Sequence, residues 1–131
     1  MAAWIGGAAI GVANGAVREA VYAKRVGDLA AHQLSSASAI GLFGLWFWLL
    51  ERRWPIPSSR SALRIGGTWI CLTVAFEVGL GRLGRRSASE MLRDYDLRSG
   101  HVWPLVLLWL GIGPAVVGPA TRRRHGRRRV A

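Results

Sequence analysis

Acidic side chains are scarce in this chain, and whole stretches lack charge of either sign. Seven Asp and Glu stand against eighteen Lys and Arg in 131 residues, a formal net charge of +11. Met1–Val17, Leu34–Leu50 and Val102–Ala120 carry no charge at all, and Ile65–Gly81 carries only Glu77. Each stretch runs 17–19 residues, close to the ~20 that a helix needs to cross a bilayer. A soluble core helix would interleave charges at three- or four-residue intervals, and these stretches do not. Cysteine is almost absent as well. Cys71 stands alone in mid-segment, which excludes a disulfide or a multi-thiolate metal site within one chain, and it reads as a small hydrophobe. No HxxxH or HExxH pair, phosphate loop or Gly-x-Ser-x-Gly turn occurs, so neither an enzyme, a metal nor a cofactor is expected. The first stretch has no basic residue ahead of it and Arg18-Glu19 behind it; it reads as a span, not a cleaved leader.

The fold class that follows is all-α: a single four-helix transmembrane domain over residues 1–121, with a basic cytoplasmic tail over 122–131. The spans are expected at about 2–22, 30–51, 63–83 and 102–120, with an interfacial helix at about 88–98 before the fourth. The first segment repeats small residues at Gly7, Gly11 and Gly15, a ridge suited to close helix packing. Asn14 and Arg18 share that face at 100° per residue. Gly27 ends this helix and Asp28 is placed to cap the next, on which His32 and Ser36 share a face. Phe43, Trp46, Phe47 and Trp48, followed by Glu51-Arg52-Arg53-Trp54, read as an aromatic belt meeting a basic collar. Pro55–Ser59 is a turn. Gly66, Thr73, Glu77 and Gly81 lie on one face of the third segment, a face of small and polar residues that belongs against protein. Ser87-Ala88-Ser89-Glu90 fits a capping box. Pro104 suits a first helical turn, and Pro114 should bend the fourth helix.

With four spans, both termini and the Glu51–Arg64 loop share one side, which holds ten of the basic residues against eight on the other. That bias favours both termini in the cytoplasm. Asn14, Arg18, Glu19, His32, Glu77, Arg82, Asp94, Asp96 and His101 then converge on the outer side as one polar cluster. Arg18 and Glu77 reach similar depth on the first and third helices, so they are expected to pair. The pair is either a structural pin or a charged gate. His32, Asp94, Asp96 and His101 lack metal-site spacing, because Asp94 and Asp96 point about 200° apart on a helix. The arginine tail is expected to meet anionic lipid and not nucleic acid.

Four motifs carry a resemblance: Asn14-Gly15-x-x-Arg18-Glu19, Ala31-His32-Gln33-x-Ser35, Phe76-Glu77-x-x-x-Gly81-Arg82 and Asp94-Tyr95-Asp96-Leu97-x-x-Gly100-x-x-Trp103. Over roughly residues 10–110 the chain resembles a group of small bacterial four-helix integral membrane proteins. That likeness implies a fold and a location in the bacterial inner membrane, and brings no activity. Small multidrug-resistance transporters place their working carboxylate in the first helix, where this chain has none. The Thr-Thr-Phe-Ser stretch of fluoride channels is absent. Two function classes remain. One is a small transporter or channel, dimeric because four short helices enclose little room, with Glu77 as titrating or ion-binding group, Arg18 as its partner and His32 nearby. The other is an accessory or assembly subunit whose glycine faces dock a larger membrane complex.

Overall fold

In the computed structural model the backbone of residues 2–128 and the side chains of residues 2–118 are described. Every regular element among them is helical: α1 Ala2–Val17, a π-helical turn Arg18–Tyr22, α2 Ala23–Val26, α3 Asp28–Arg53, α4 Ser59–Leu83, α5 Ala88–Arg93, a 3-10 turn Leu97–Ser99 and α6 Trp103–Arg128. α3 and α4 are long and apolar enough to cross a membrane, and Trp103–Gly118 is a shorter apolar helix.

Local chemistry explains the breaks. Gly27 sits at φ +81°, a conformation that L side chains rarely adopt, and so ends α2 and starts α3. Asp28 is the first residue of α3 and makes no cap bond, contrary to its expected capping role, because Gly27 already occupies the cap position. Ser58 caps α4 by accepting from the Ser61 N–H at 3.1 Å. Ser87 and Glu90 form the expected reciprocal box, with the Ser87 N–H donating to Glu90 Oε2 at 2.7 Å and the Glu90 N–H to Ser87 Oγ at 3.2 Å. These bonds to Ser87, backbone first, hold the Glu90 carboxyl below its ordinary range. The helix expected over 88–98 stops at Arg93. Asp96 Oδ1 accepts from the Arg98 N–H at 3.0 Å, a local turn that competes with helix propagation. α6 runs on through Pro114 to Arg128. The expected basic tail over 122–131 therefore begins as helical backbone, and its side chains lie outside the described residues.

The helices are not arranged in sequence order. α6 packs along both α3 and α4, and α1 packs on α3, so the lateral order is α1–α3–α6–α4. The core joins α3, α4 and α6 through Ala39, Phe43, Phe47, Trp69, Val106 and Leu110. Phe47 centres it, with ring centroids 5.8 Å from Trp69 and 6.1 Å from Trp109. Phe43 and Phe47 are thus core and not belt, because their four-residue spacing aligns them with Ala39 on the inward face of α3. Only Trp48 and Trp54 remain as outer aromatics, stacked under Arg52 and Arg53 at 4.7 and 5.0 Å. Glu51 is also buried rather than part of a solvated collar; its Oε2 accepts from the Ile56 N–H at 3.0 Å.

The tightest helix crossing is α4 on α6. A Cβ built on Gly66 would overlap the Gly111 carbonyl oxygen, so the two backbones touch there. Gly81 is sealed by the Met91 side chain. The α1 ridge is looser than its sequence implies. A Cβ on Gly7 or Gly11 would meet Trp46 at 3.7 Å or Phe43 at 3.8 Å, and one on Gly15 would meet nothing within 4 Å. Large side chains of α3, not another backbone, face that ridge.

Candidate functional site

Because α1 and α4 stand at opposite ends of the lateral order, a cavity of about 360 Å³ opens between them. Trp4 spans the gap at one level, its indole N–H donating to Thr73 Oγ1 at 3.2 Å and its ring meeting Phe76 edge-on at 6.1 Å. Small residues of the α1 ridge, Gly7, Gly11 and Gly15, form one wall. Their missing side chains are part of what makes the space.

Glu77 lies on the α4 wall, half-buried, four residues after Thr73 and therefore one helical turn further along. Two neutral donors hold its Oε2: the Tyr95 hydroxyl at 2.5 Å and the Trp103 indole N–H at 3.2 Å. Among the described residues no donor reaches Oε1, and Glu77 lines the cavity. Burial, and then the bond to Glu77, push the Tyr95 phenol above its ordinary pKa of 10.0. The phenol therefore stays a proton donor to the carboxylate.

The expected contact between Arg18 and Glu77 is not made. Both line the cavity, but Arg18 Nη2 pairs with Glu19 Oε1 at 2.8 Å, its neighbour in the chain. Similar depth holds the two groups at one end of the bundle. The lateral order keeps their helices apart, and the π turn starting at Arg18 takes the chain out of 100° register. Asn14 does cross to a neighbour, α3: its Nδ2 donates to the Ser35 carbonyl and to Ser35 Oγ, both at 2.8 Å, and Ser38 Oγ donates to Asn14 Oδ1 at 2.7 Å.

The remaining members of the expected cluster divide. His32 and His101 meet at 5.1 Å between ring centroids, and His101 Nδ1 is bonded to Ser99 Oγ at 2.7 Å. His32 lines the cavity, and its Nδ1 is buried with no partner among the described residues. Asp94 lines the cavity and pairs with Arg86 at 3.0 Å. Arg82 is exposed, and exposed Asp96 caps the 3-10 turn. No three His, Cys, Asp or Glu among the described residues are grouped so as to hold a metal ion.

No family model, curated protein or solved structure matches this chain. The geometry alone carries the functional reading. Three of its participants, Trp4, Tyr95 and Trp103, escaped sequence reasoning. The signal was present for two of them, since Tyr95 and Trp103 are the polar-tipped aromatics nearest in sequence to the end of α4 that bears Glu77.

Proposed function

We propose that this chain is a small four-span protein of the bacterial inner membrane, and that the cavity between α1 and α4 is the binding pocket of a transporter. The observation that carries the reading is a carboxylate, Glu77, that lines a 360 Å³ cavity, is held by neutral donors, and has no cationic partner among the described residues. A volume of this size falls within the roughly 300–1,000 Å³ typical of small-molecule sites.

Several features support the membrane setting. Leu34, Leu45, Leu63, Leu108 and Val116 are each more than half exposed on the outside of the bundle, while Asn14, Ser35 and Glu77 point inward. A broadly apolar exterior with polar side chains turned inward suits lipid. α6 lies along both α3 and α4 and α1 lies along α3, so α1 and α6 share the depth of the two helices that are long enough to span. The Lys/Arg bias then favours both termini in the cytoplasm and the Glu77 end outside. The pocket has an open edge where lining residues such as Val12 and Leu80 are exposed, which favours a homodimer that closes it.

That same open edge favours a second reading. Val12, Phe76 and Leu80 line the cavity and are exposed at once, so the gap between α1 and α4 also suits a helix of a larger complex, which would make the chain an accessory subunit. Purification from native membranes in mild detergent separates the two. A homodimer without companions supports the transporter; a stoichiometric larger partner contradicts it. Reporter fusions after Ala131 and within Arg52–Arg60 should report cytoplasm, and fusions at Arg86–Arg93 the outside. The reverse pattern overturns the orientation.

A further inference from the structure

Resting on the reading of the α1–α4 cavity as a binding pocket, we infer that its ligand is an organic monocation, an ammonium head carried on an apolar or aromatic body. Charge decides the sign. Two guanidinium groups line the cavity, and each is already matched: Arg18 by Glu19 at 2.8 Å and Arg86 by Asp94 at 3.0 Å. Glu77 is the lining carboxylate without a cation among the described residues. An anion would have to break an existing ion pair, whereas a cation completes one.

The surroundings decide the chemical class. A hard metal ion takes about six to eight oxygen ligands, and Glu77 Oε2 is already occupied by Tyr95 and Trp103. Five aromatic side chains, Trp4, Phe43, Phe76, Tyr95 and Trp103, line the cavity among small and aliphatic residues. Ring faces attract alkylammonium groups within about 6 Å and replace water poorly around a bare ion. The pocket has two levels: the carboxylate sits at the end near α5, and Thr73, to which Trp4 is bonded, lies about one helical turn, ~5.4 Å, away along α4. The head is held at Glu77 and the body extends toward Phe43.

The test uses the purified full-length protein in detergent, with benzyltriethylammonium as probe and benzenesulfonate as its anionic counterpart, measured by equilibrium dialysis against protein-free micelles. One saturable site per chain is expected for the cation and none for the anion. Glu77→Gln keeps an acceptor for Tyr95 and Trp103 and should weaken the cation at least about tenfold, as removal of a desolvated charge partner does. Trp4→Leu should weaken it a few-fold through loss of a cation–π face. Gly15→Leu grows into open cavity space and should block binding without disturbing packing. Asp28→Asn, on the exposed start of α3, controls for surface charge and should bind like the native chain. Native-like cation binding by Glu77→Gln, or by Trp4→Leu and Gly15→Leu together should the first variant fail to fold, overturns the proposal. Anion binding equal to cation binding also overturns it; if Gly15→Leu still blocks, the pocket stands and only the ligand class falls. If neither probe binds the native chain, the ligand proposal falls, and native purification decides separately on the transporter.

Discussion

Gly66 and Gly67 are adjacent on α4, and the structure assigns their replacement by alanine opposite signs. A Cβ at Gly66 would overlap the carbonyl oxygen of Gly111, a backbone atom of α6 that no rotamer change moves aside. The two helices must separate, loosening Trp69, Val106 and Leu110 in the core beside the crossing. Overpacking of this kind costs about 1–3 kcal/mol. At Gly67 a Cβ meets nothing within 4 Å, so the substitution keeps only the helix-propensity gain of alanine, roughly 0.5–1 kcal/mol. Both variants share that propensity gain, so it cancels between them, and the pair should differ by the overpacking cost alone, about 1–3 kcal/mol. Reversible unfolding in mixed detergent micelles, followed by circular dichroism, measures both variants under one condition. Equal stability of Gly66→Ala and Gly67→Ala would refute backbone contact between α4 and α6, and with it the lateral order that opens the cavity.

The other predictions concern the polar end. Tyr95→Phe removes a charge-directed hydrogen bond to Glu77 and should cost about 1.5–3 kcal/mol; a loss below ~0.5 kcal/mol would argue that the bond is not made. Because the fold raises the Tyr95 phenol pKa, its contribution is fully present below the ordinary value of 10.0 and is lost as pH rises above it. The alkaline fall in stability should be smaller in Tyr95→Phe. Ser87→Ala opens the capping box and should speed amide exchange in α5. Since Glu90 is held below its ordinary value of 4.5, native α5 should lose protection as pH falls through that carboxylate's range, and the variant should show less of this loss. Arg18→Gln should cost about 0–1 kcal/mol, as for an exposed pair. Its coupling to Glu77→Gln should stay within about 0.5 kcal/mol; a coupling near 3 kcal/mol would restore the direct ion pair.

The sequence carries what depends on depth along a helix and loses what depends on neighbours across the bundle. Charge-free runs, Gly27, the Pro55–Ser59 turn and the Ser87–Glu90 box are one-dimensional signals, and they marked the helix breaks. The face bearing Gly66, Thr73, Glu77 and Gly81 was legible for the same reason, and each of its members meets another element: Gly111, Trp4, Tyr95 with Trp103, and Met91. Which helices adjoin was not legible. Hydrophobic runs name no partner, so α6 standing between α3 and α4 had no signature, and Arg18 was matched with Glu77 across a gap. Phe43 and Phe47 misled in a related way, because aromatic side chains near a helix end suit an interface and a core equally well. The α1 glycines do both jobs: side chains of α3 face Gly7 and Gly11, and all three glycines border the cavity.

Cys71 provides the most direct test of the membrane account. It is the sole cysteine of the chain, it is exposed on α4, and it lies twelve residues from either end of Ser59–Leu83, about 18 Å at 1.5 Å per residue. A thiol at that height is open to water if the bundle is soluble and covered by hydrocarbon if α4 spans a bilayer. Native membranes, sealed and then ruptured, are treated with a charged, impermeant maleimide, and the same sample is treated again after dissolution in sodium dodecyl sulfate. The account predicts no labelling of Cys71 from either side of the membrane and full labelling once the bilayer is gone. Rapid labelling in intact or ruptured membranes would contradict it.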